Sequence, residues 1–189
     1  MLKMRLYFLS IWSILDPIYY LFTRLTYLED CDKERNVFRI RLTRYRGRDV
    51  LLSDGTYVKK NDLLIKIHLH NVRLMKEMHG LDSETKKGRL IFTHVRSGLP
   101  SLAEYVKEHP NSNEIKGVIG ITMLHKGCNR LGFETFPIKN RIYKLIKQIV
   151  FIPMYCLSVS KISSKSLKRP PKYLFMSKKT LLGQYLQKG

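Results

Sequence analysis

Acidic side chains run out before the chain does. Glu134 is the last carboxylate residue, and residues 135–189 hold 12 Lys and Arg against none, a net of +12. The preceding 134 residues carry the remaining +8 of a formal +20. A C-terminal third with no counter-charge of its own repels itself unless it meets an anionic partner, either nucleic acid or the phosphate layer of a membrane. The plainer reading is a soluble basic face, because net charge governs association and not fold.

Cysteine is equally sparse. Cys31, Cys128 and Cys156 are odd in number and widely spaced, with no C-x-x-C. That excludes a disulfide framework and points to a reducing compartment. Long apolar runs are missing too. Lys3 and Arg5 precede an apolar stretch over residues 6–15 that resembles the start of a signal peptide, but Asp16, Pro17 and the following Ile18-Tyr19-Tyr20 offer no small-residue cleavage site. A spanning helix needs about 20 apolar residues, so residues 6–28 read as a core element or a shallow membrane-lying hairpin. In that reading Asp16 caps a second helical piece whose stripe is Ile18, Leu21, Phe22 and Leu25.

Catalytic signatures are scarce. There is no G-x-S-x-G, no Walker loop, no G-x-G-x-x-G and no internal repeat. His68 and His70 lie two apart and would face one way on a strand, but no third ligand (His79, His94, His125 or Cys128) stands at diagnostic metal spacing. Neither metal nor cofactor is expected. His125 and Cys128, about a helical turn apart, could form a thiolate–imidazolium pair, although a lone coincidence of this kind is a weak signal.

What is present describes a chain large enough for one domain with its own core, spanning residues 1–189. Residues 37–42 alternate Val-Phe-Arg-Ile-Arg-Leu, a strand with one basic face; the basic parity slips after Thr43, so the strand must end or bulge there. Residues 50–58 read as a hairpin on a two-residue Asp54-Gly55 turn, and residues 63–70 as a further strand. A short helix over 72–79 can be capped by Asn71 and closed by Gly80. Two more helices are expected, from Ser83 to about Arg96 and from a capping box at Ser101 to just before Pro110. Strands follow over 117–124 and 133–137, the first carrying Gly117 and Gly120 as marks of close backbone packing. An amphipathic helix over 139–152 has Ile142, Leu145, Ile146, Ile149 and Val150 on one side and Arg141, Lys144 and Lys147 on the other, with Pro153 ending or kinking it. Residues 158–172 look like a linker-like loop. Residues 173–176 form an edge strand, and Ser177 caps a last helix. The expected class is α+β: a small, mostly antiparallel sheet with a hairpin, its strands concentrated between 37 and 70, packed against helices.

Two basic features suggest binding. Arg39 and Arg41, extended by Arg44 and Arg46 with Tyr45 between, could hold phosphate, an acidic head group or a sugar phosphate, or stack on bases. His68, His70 and Asn71 at the end of the next strand could add polar contacts. The helix bearing Arg141, Lys144 and Lys147 fits a membrane interface, or equally a core helix with solvated lysines.

The segments Ile11-Trp12-Ser13-Ile14-Leu15-Asp16-Pro17, Thr43-Arg44-Tyr45-Arg46-Gly47, Leu52-Ser53-Asp54-Gly55, Ile67-His68-Leu69-His70-Asn71, Arg130-Leu131-Gly132-Phe133-Glu134 and Tyr173-Leu174-Phe175-Met176-Ser177 together resemble the YkoP-like family, across nearly the whole chain. That bacterial group occurs alone and attached to polysaccharide deacetylases. The resemblance implies association with envelope polysaccharide or glycolipid metabolism. It maps the family's H-x-x-N pattern onto His68 and Asn71, and R-Y-x-G onto Arg44, Tyr45 and Gly47. It does not carry over deacetylation, whose metal-binding Asp and His pattern this chain lacks.

The leading expectation is therefore a peripheral, membrane-surface binding or accessory protein of cell-envelope polysaccharide or glycolipid metabolism. Its partners would be an anionic membrane surface or a lipid-linked sugar, and its place the cytoplasm, at the inner face of the cell membrane. A nucleic-acid-binding module, or a small enzyme using His68 or His125 as general base, are the alternatives.

Overall fold

The computed structural model describes residues 25–29, 35–78, 80–81, 83–125, 127–158 and 170–186. The helical reading of residues 6–24 and most of the linker-like loop at 158–172 lie outside these residues. The described elements are β1 (Thr26–Glu29), β2 (Arg35–Arg44), β3 (Val50–Leu51), β4 (Tyr57–Val58), β5 (Leu63–Leu69), α1 (Asn71–Met78), α2 (Glu84–Glu108), β6 (Ile115–Thr122), a 3-10 turn (Cys128–Leu131), β7 (Glu134–Pro137), α3 (Arg141–Ser158), β8 (Lys172–Ser177) and α4 (Lys178–Tyr185). The class is α+β in one domain. Six strands form a mixed sheet in the order β1-β2-β5-β6-β8-β7, and β3–β4 form a separate ribbon. Every neighbouring pair in the sheet is antiparallel except β5 and β6, which run parallel because the chain crosses between them through α1 and α2.

Alternation along β2 sorts the two faces of the sheet. Phe38 and Ile40, both fully buried, join Ile65, Val118 and Met176 under α1, α2 and α4. Each such side chain contributes about 1.5–3 kcal/mol. On the other face Leu64, Ile119 and Phe175 meet Tyr45, Leu52 and Val58 from the ribbon. The basic face of β2 is thus not a solvent face: Arg39 is only 3% exposed.

Several local expectations are corrected. Thr26–Glu29 is a strand and not the end of a helical piece, and β1, β6, β7 and β8 supply four of the six sheet strands, so strands are not concentrated between 37 and 70. The ribbon closes through a three-residue loop, Ser53-Asp54-Gly55, because Leu52 N–H bonds to Thr56 O at 2.9 Å and Gly55 takes φ 84°. The two helices expected around Pro100 are one. Pro100 is exposed, so water can serve the Arg96 carbonyl that it leaves without a donor. Leu99, Leu102 and Val106 are fully buried on the opposite side, and their burial outweighs the roughly 3 kcal/mol that an internal proline costs. Likewise α3 runs on through Pro153 to Ser158. Strand β8 is interior, flanked by β6 and β7.

Two junctions fix how the layers meet. A Cβ on Gly117 would lie 2.3 Å from Met176 O, so this crossing of β6 and β8 has no room for a side chain. The Ser177 hydroxyl accepts from Thr180 N at 2.9 Å, capping α4, and donates to the Asp54 carboxylate, which ties the ribbon to that helix.

Candidate anion-binding site

Register builds the site. In the antiparallel β2–β5 ladder Arg39 lies opposite His68 and Arg41 opposite Lys66, and side chains two apart share a face. Arg41 therefore faces Lys66 cation to cation, a pairing that destabilises the unliganded sheet, while Arg39 faces an imidazole. The Arg39 guanidinium donates from Nη2 to Tyr27 Oη at 2.7 Å and to His70 Nε2 at 3.1 Å, and stacks 4.9 Å from the Tyr27 ring centre.

Helix α3 lies over the same face. Asn140 begins it, its side chain accepting from Tyr143 N at 2.9 Å. Tyr143, Lys147 and Phe151, four residues apart, turn inward together. Tyr143 stacks on Tyr173 with centroids 6.5 Å apart, the Lys147 ammonium lies 5.4 Å from the Tyr143 ring centre, and Lys147 and Phe151 line a cavity of about 540 Å³ with Lys66, His68 and Asn71.

The electrostatics report mutual repulsion. Burial, then Lys147 and Arg41, bring Lys66 down to about 8. Burial, then Arg41, lower Lys147. Burial, then Lys66, Arg41, Lys147 and Arg39, push His68 down to about 3. Three elements thus aim half-buried positive charge into one space, where an entering anion would relieve the repulsion. A neutral His68 can donate a hydrogen bond to such an anion, but its depressed basicity suits it poorly to act as a general base near neutral pH.

The sequence-derived candidates divide. Arg39, Arg41, His68 and His70 share this face, and Asn71 joins them at the start of α1. Arg44 and Arg46 are exposed away from it, Arg44 bonding to Asn61 O at 3.2 Å. Tyr45 serves packing: it is buried, donates to Arg48 O at 2.8 Å, and sets its ring edge-on to Phe175. A Cβ on Gly47 would fall 2.2 Å from the Tyr45 hydroxyl, so the Tyr-x-Gly pattern folds the chain, and the ring is not free to stack on a base. Lys147 points inward, away from the outward basic face expected for it, while Arg141 is exposed and Lys144 half-buried. The stripe expected to be the apolar side of that helix is instead open: Ile142, Leu145, Ile146 and Ile149 are 51–73% exposed. Lys66 was missed, although the period of two that pairs His68 with His70 also places Lys66 beside them.

The Cys128 thiol, raised by burial to about 11, donates to Leu124 O at 3.7 Å, so no thiolate pairs with His125 at neutral pH. Among the described residues no three His, Cys, Asp or Glu side chains gather as a metal site, and no helix is long and apolar enough to cross a membrane.

Comparison with known proteins places this architecture. A family model described as the YkoP domain matches residues 5–185. The chain belongs to the YkoP family. It is 43% identical over 185 residues to the "Uncharacterized protein YkoP" of Bacillus subtilis (strain 168), a match covering 98% of this chain and 100% of that protein. No solved structure matches. For this YkoP-family chain the geometry of the basic cleft is therefore the main guide to chemistry.

Proposed function

We propose that this YkoP-family protein is a peripheral membrane-surface protein that binds an anionic group in the cleft between the sheet and α3, as an accessory of cell-envelope polysaccharide or glycolipid metabolism. The observation that carries this reading is the convergence of Lys66 from β5 and Lys147 from α3 on one cavity, where burial first and neighbouring cations second (Lys147 and Arg41 for Lys66, Arg41 for Lys147) make each ammonium harder to charge. The ligand would complete the site by charge-assisted hydrogen bonds from the ammonium groups. The exposed stripe Ile142, Leu145, Ile146 and Ile149, with Lys139 and Arg141 exposed at the start of α3, supports a helix lying at a lipid interface. The envelope role rests on the association with polysaccharide deacetylases that the family resemblance implies.

The test is co-sedimentation with phosphatidylglycerol vesicles and with phosphatidylcholine vesicles. Binding to the anionic vesicles that weakens as salt rises is expected. No binding to either, or equal binding to both, would overturn the reading.

A further inference from the structure

The cavity has two chemically different walls. Parallel strands β5 and β6 pair as far as Lys66 opposite Ile119. Beyond that point β5 runs on against β2 to Leu69 and then turns into α1, whereas β6 continues along β8 to Thr122 and leaves toward the 3-10 turn. Strands that part in this way open a crevice at their carboxyl ends, the usual ligand position in sheets with parallel strands. On one face of the sheet the crevice is walled by Lys66, His68 and Lys147; on the other it is walled mainly by apolar side chains of α1 and α2, among them Met75, Met78, Ile91, Phe92 and Val95, with Glu84 and Lys87 of α2 also lining it. Its 540 Å³ falls within the size range of small-molecule sites, roughly 300–1,000 Å³.

We infer that this cavity takes a single-chain amphiphile with a phosphate-monoester head, the head held by Lys66, Lys147 and His68 and the chain lying between α1 and α2. The inference rests on the anion-binding reading above and adds the ligand class. Two lysines with Arg41 behind them match a head carrying about −1.5 to −2 charge better than a single negative charge, and an apolar wall of this extent has no use for a free inorganic ion. Methionines at 75, 78 and 123 adapt readily to a flexible chain. The exposed stripe of α3 lies on the same helix as Lys147 and Phe151, so a helix resting on a bilayer would hold the cleft beside the lipid from which such a ligand is drawn.

Isothermal titration of the full chain with dodecyl phosphate below its micelle concentration, with inorganic phosphate and with dodecyl maltoside tests this. Dodecyl phosphate should bind at least tenfold tighter than inorganic phosphate, with dodecyl maltoside weaker still. Ile91→Trp, which fills the apolar side, should erase the advantage of the chain and leave affinity for inorganic phosphate unchanged; Val95→Phe replaces it should Ile91→Trp fail to fold. Dodecyl phosphate binding no tighter than inorganic phosphate overturns the amphiphile and leaves the anion site standing. Equal binding of dodecyl maltoside overturns the phosphate head. Binding of neither phosphate compound removes this inference together with the anion-binding reading.

Discussion

Replacing Lys66 by Met should make the unliganded protein more stable and a poorer anion binder. In the folded state Lys66 falls from an ordinary 10.5 to about 8 through burial and through Lys147 and Arg41. At about 1.36 kcal/mol per pH unit that drop corresponds to about 3 kcal/mol of extra charging cost on folding. The side chain is only half-buried, so water and salt reduce the figure, and about 1–2 kcal/mol is expected from removing the charge at pH 7. Met is similar in length and leaves no cavity. Urea unfolding in phosphate-free, low-salt buffer should therefore show a higher midpoint for Lys66→Met than for the parent chain. Phosphate at about 100 times its dissociation constant adds about 2.7 kcal/mol to a protein that binds it, so the order should narrow or reverse for the parent and not for the variant. The pH dependence has a definite sign. Below pH 8 Lys66 is charged in both folded and unfolded chains and the full penalty applies. Between pH 8 and 10.5 the folded state has released a proton that the unfolded state keeps, so parent stability rises with pH. From about pH 9 the Cys128 thiol, raised by burial to about 11, and near pH 10 the hydroxyls of Tyr45 and Tyr173, both raised chiefly by burial, oppose it, since in the unfolded chain these groups ionise first; the usable window is about pH 8–9. A variant less stable than its parent without phosphate, or one that gains as much from phosphate, would refute the argument that Lys66 is held at a cost for binding.

Leu145→Glu together with Ile149→Glu should abolish co-sedimentation with phosphatidylglycerol vesicles while shifting urea stability by no more than about 0.5 kcal/mol, because both side chains are already exposed; a large loss of stability would show that the stripe is covered within the fold. Gly117→Ala should destabilise by about 1–3 kcal/mol in the same unfolding assay, since its methyl would meet the Met176 carbonyl, and an unchanged midpoint would contradict that close crossing.

Short-range chemistry was legible where one side chain decides the outcome. Alternation over β2, the ribbon around Asp54-Gly55, the serine before α4 and the class of the fold all follow from periods and caps that need no distant partner. Pro100 misled because a proline's cost of about 3 kcal/mol is set against the burial of Leu99, Leu102 and Val106, which only the assembled core defines. Tyr45 misled for a similar reason: an aromatic between arginines reads as a binding surface until Phe175 and Tyr173 are seen against it.

The sequence alone determined that one strand would carry Arg39 and Arg41 on a single face, that His68 and His70 would share another, and that no acidic residue follows Glu134 to neutralise the C-terminal charge. Only the tertiary structure decided that those faces coincide, through the β2–β5 register, and that α3 turns Lys147 toward them and its aliphatic stripe outward. A helical period states which residues lie together but not which way they face. That choice belongs to contacts between segments far apart in the chain, such as Tyr143 on Tyr173.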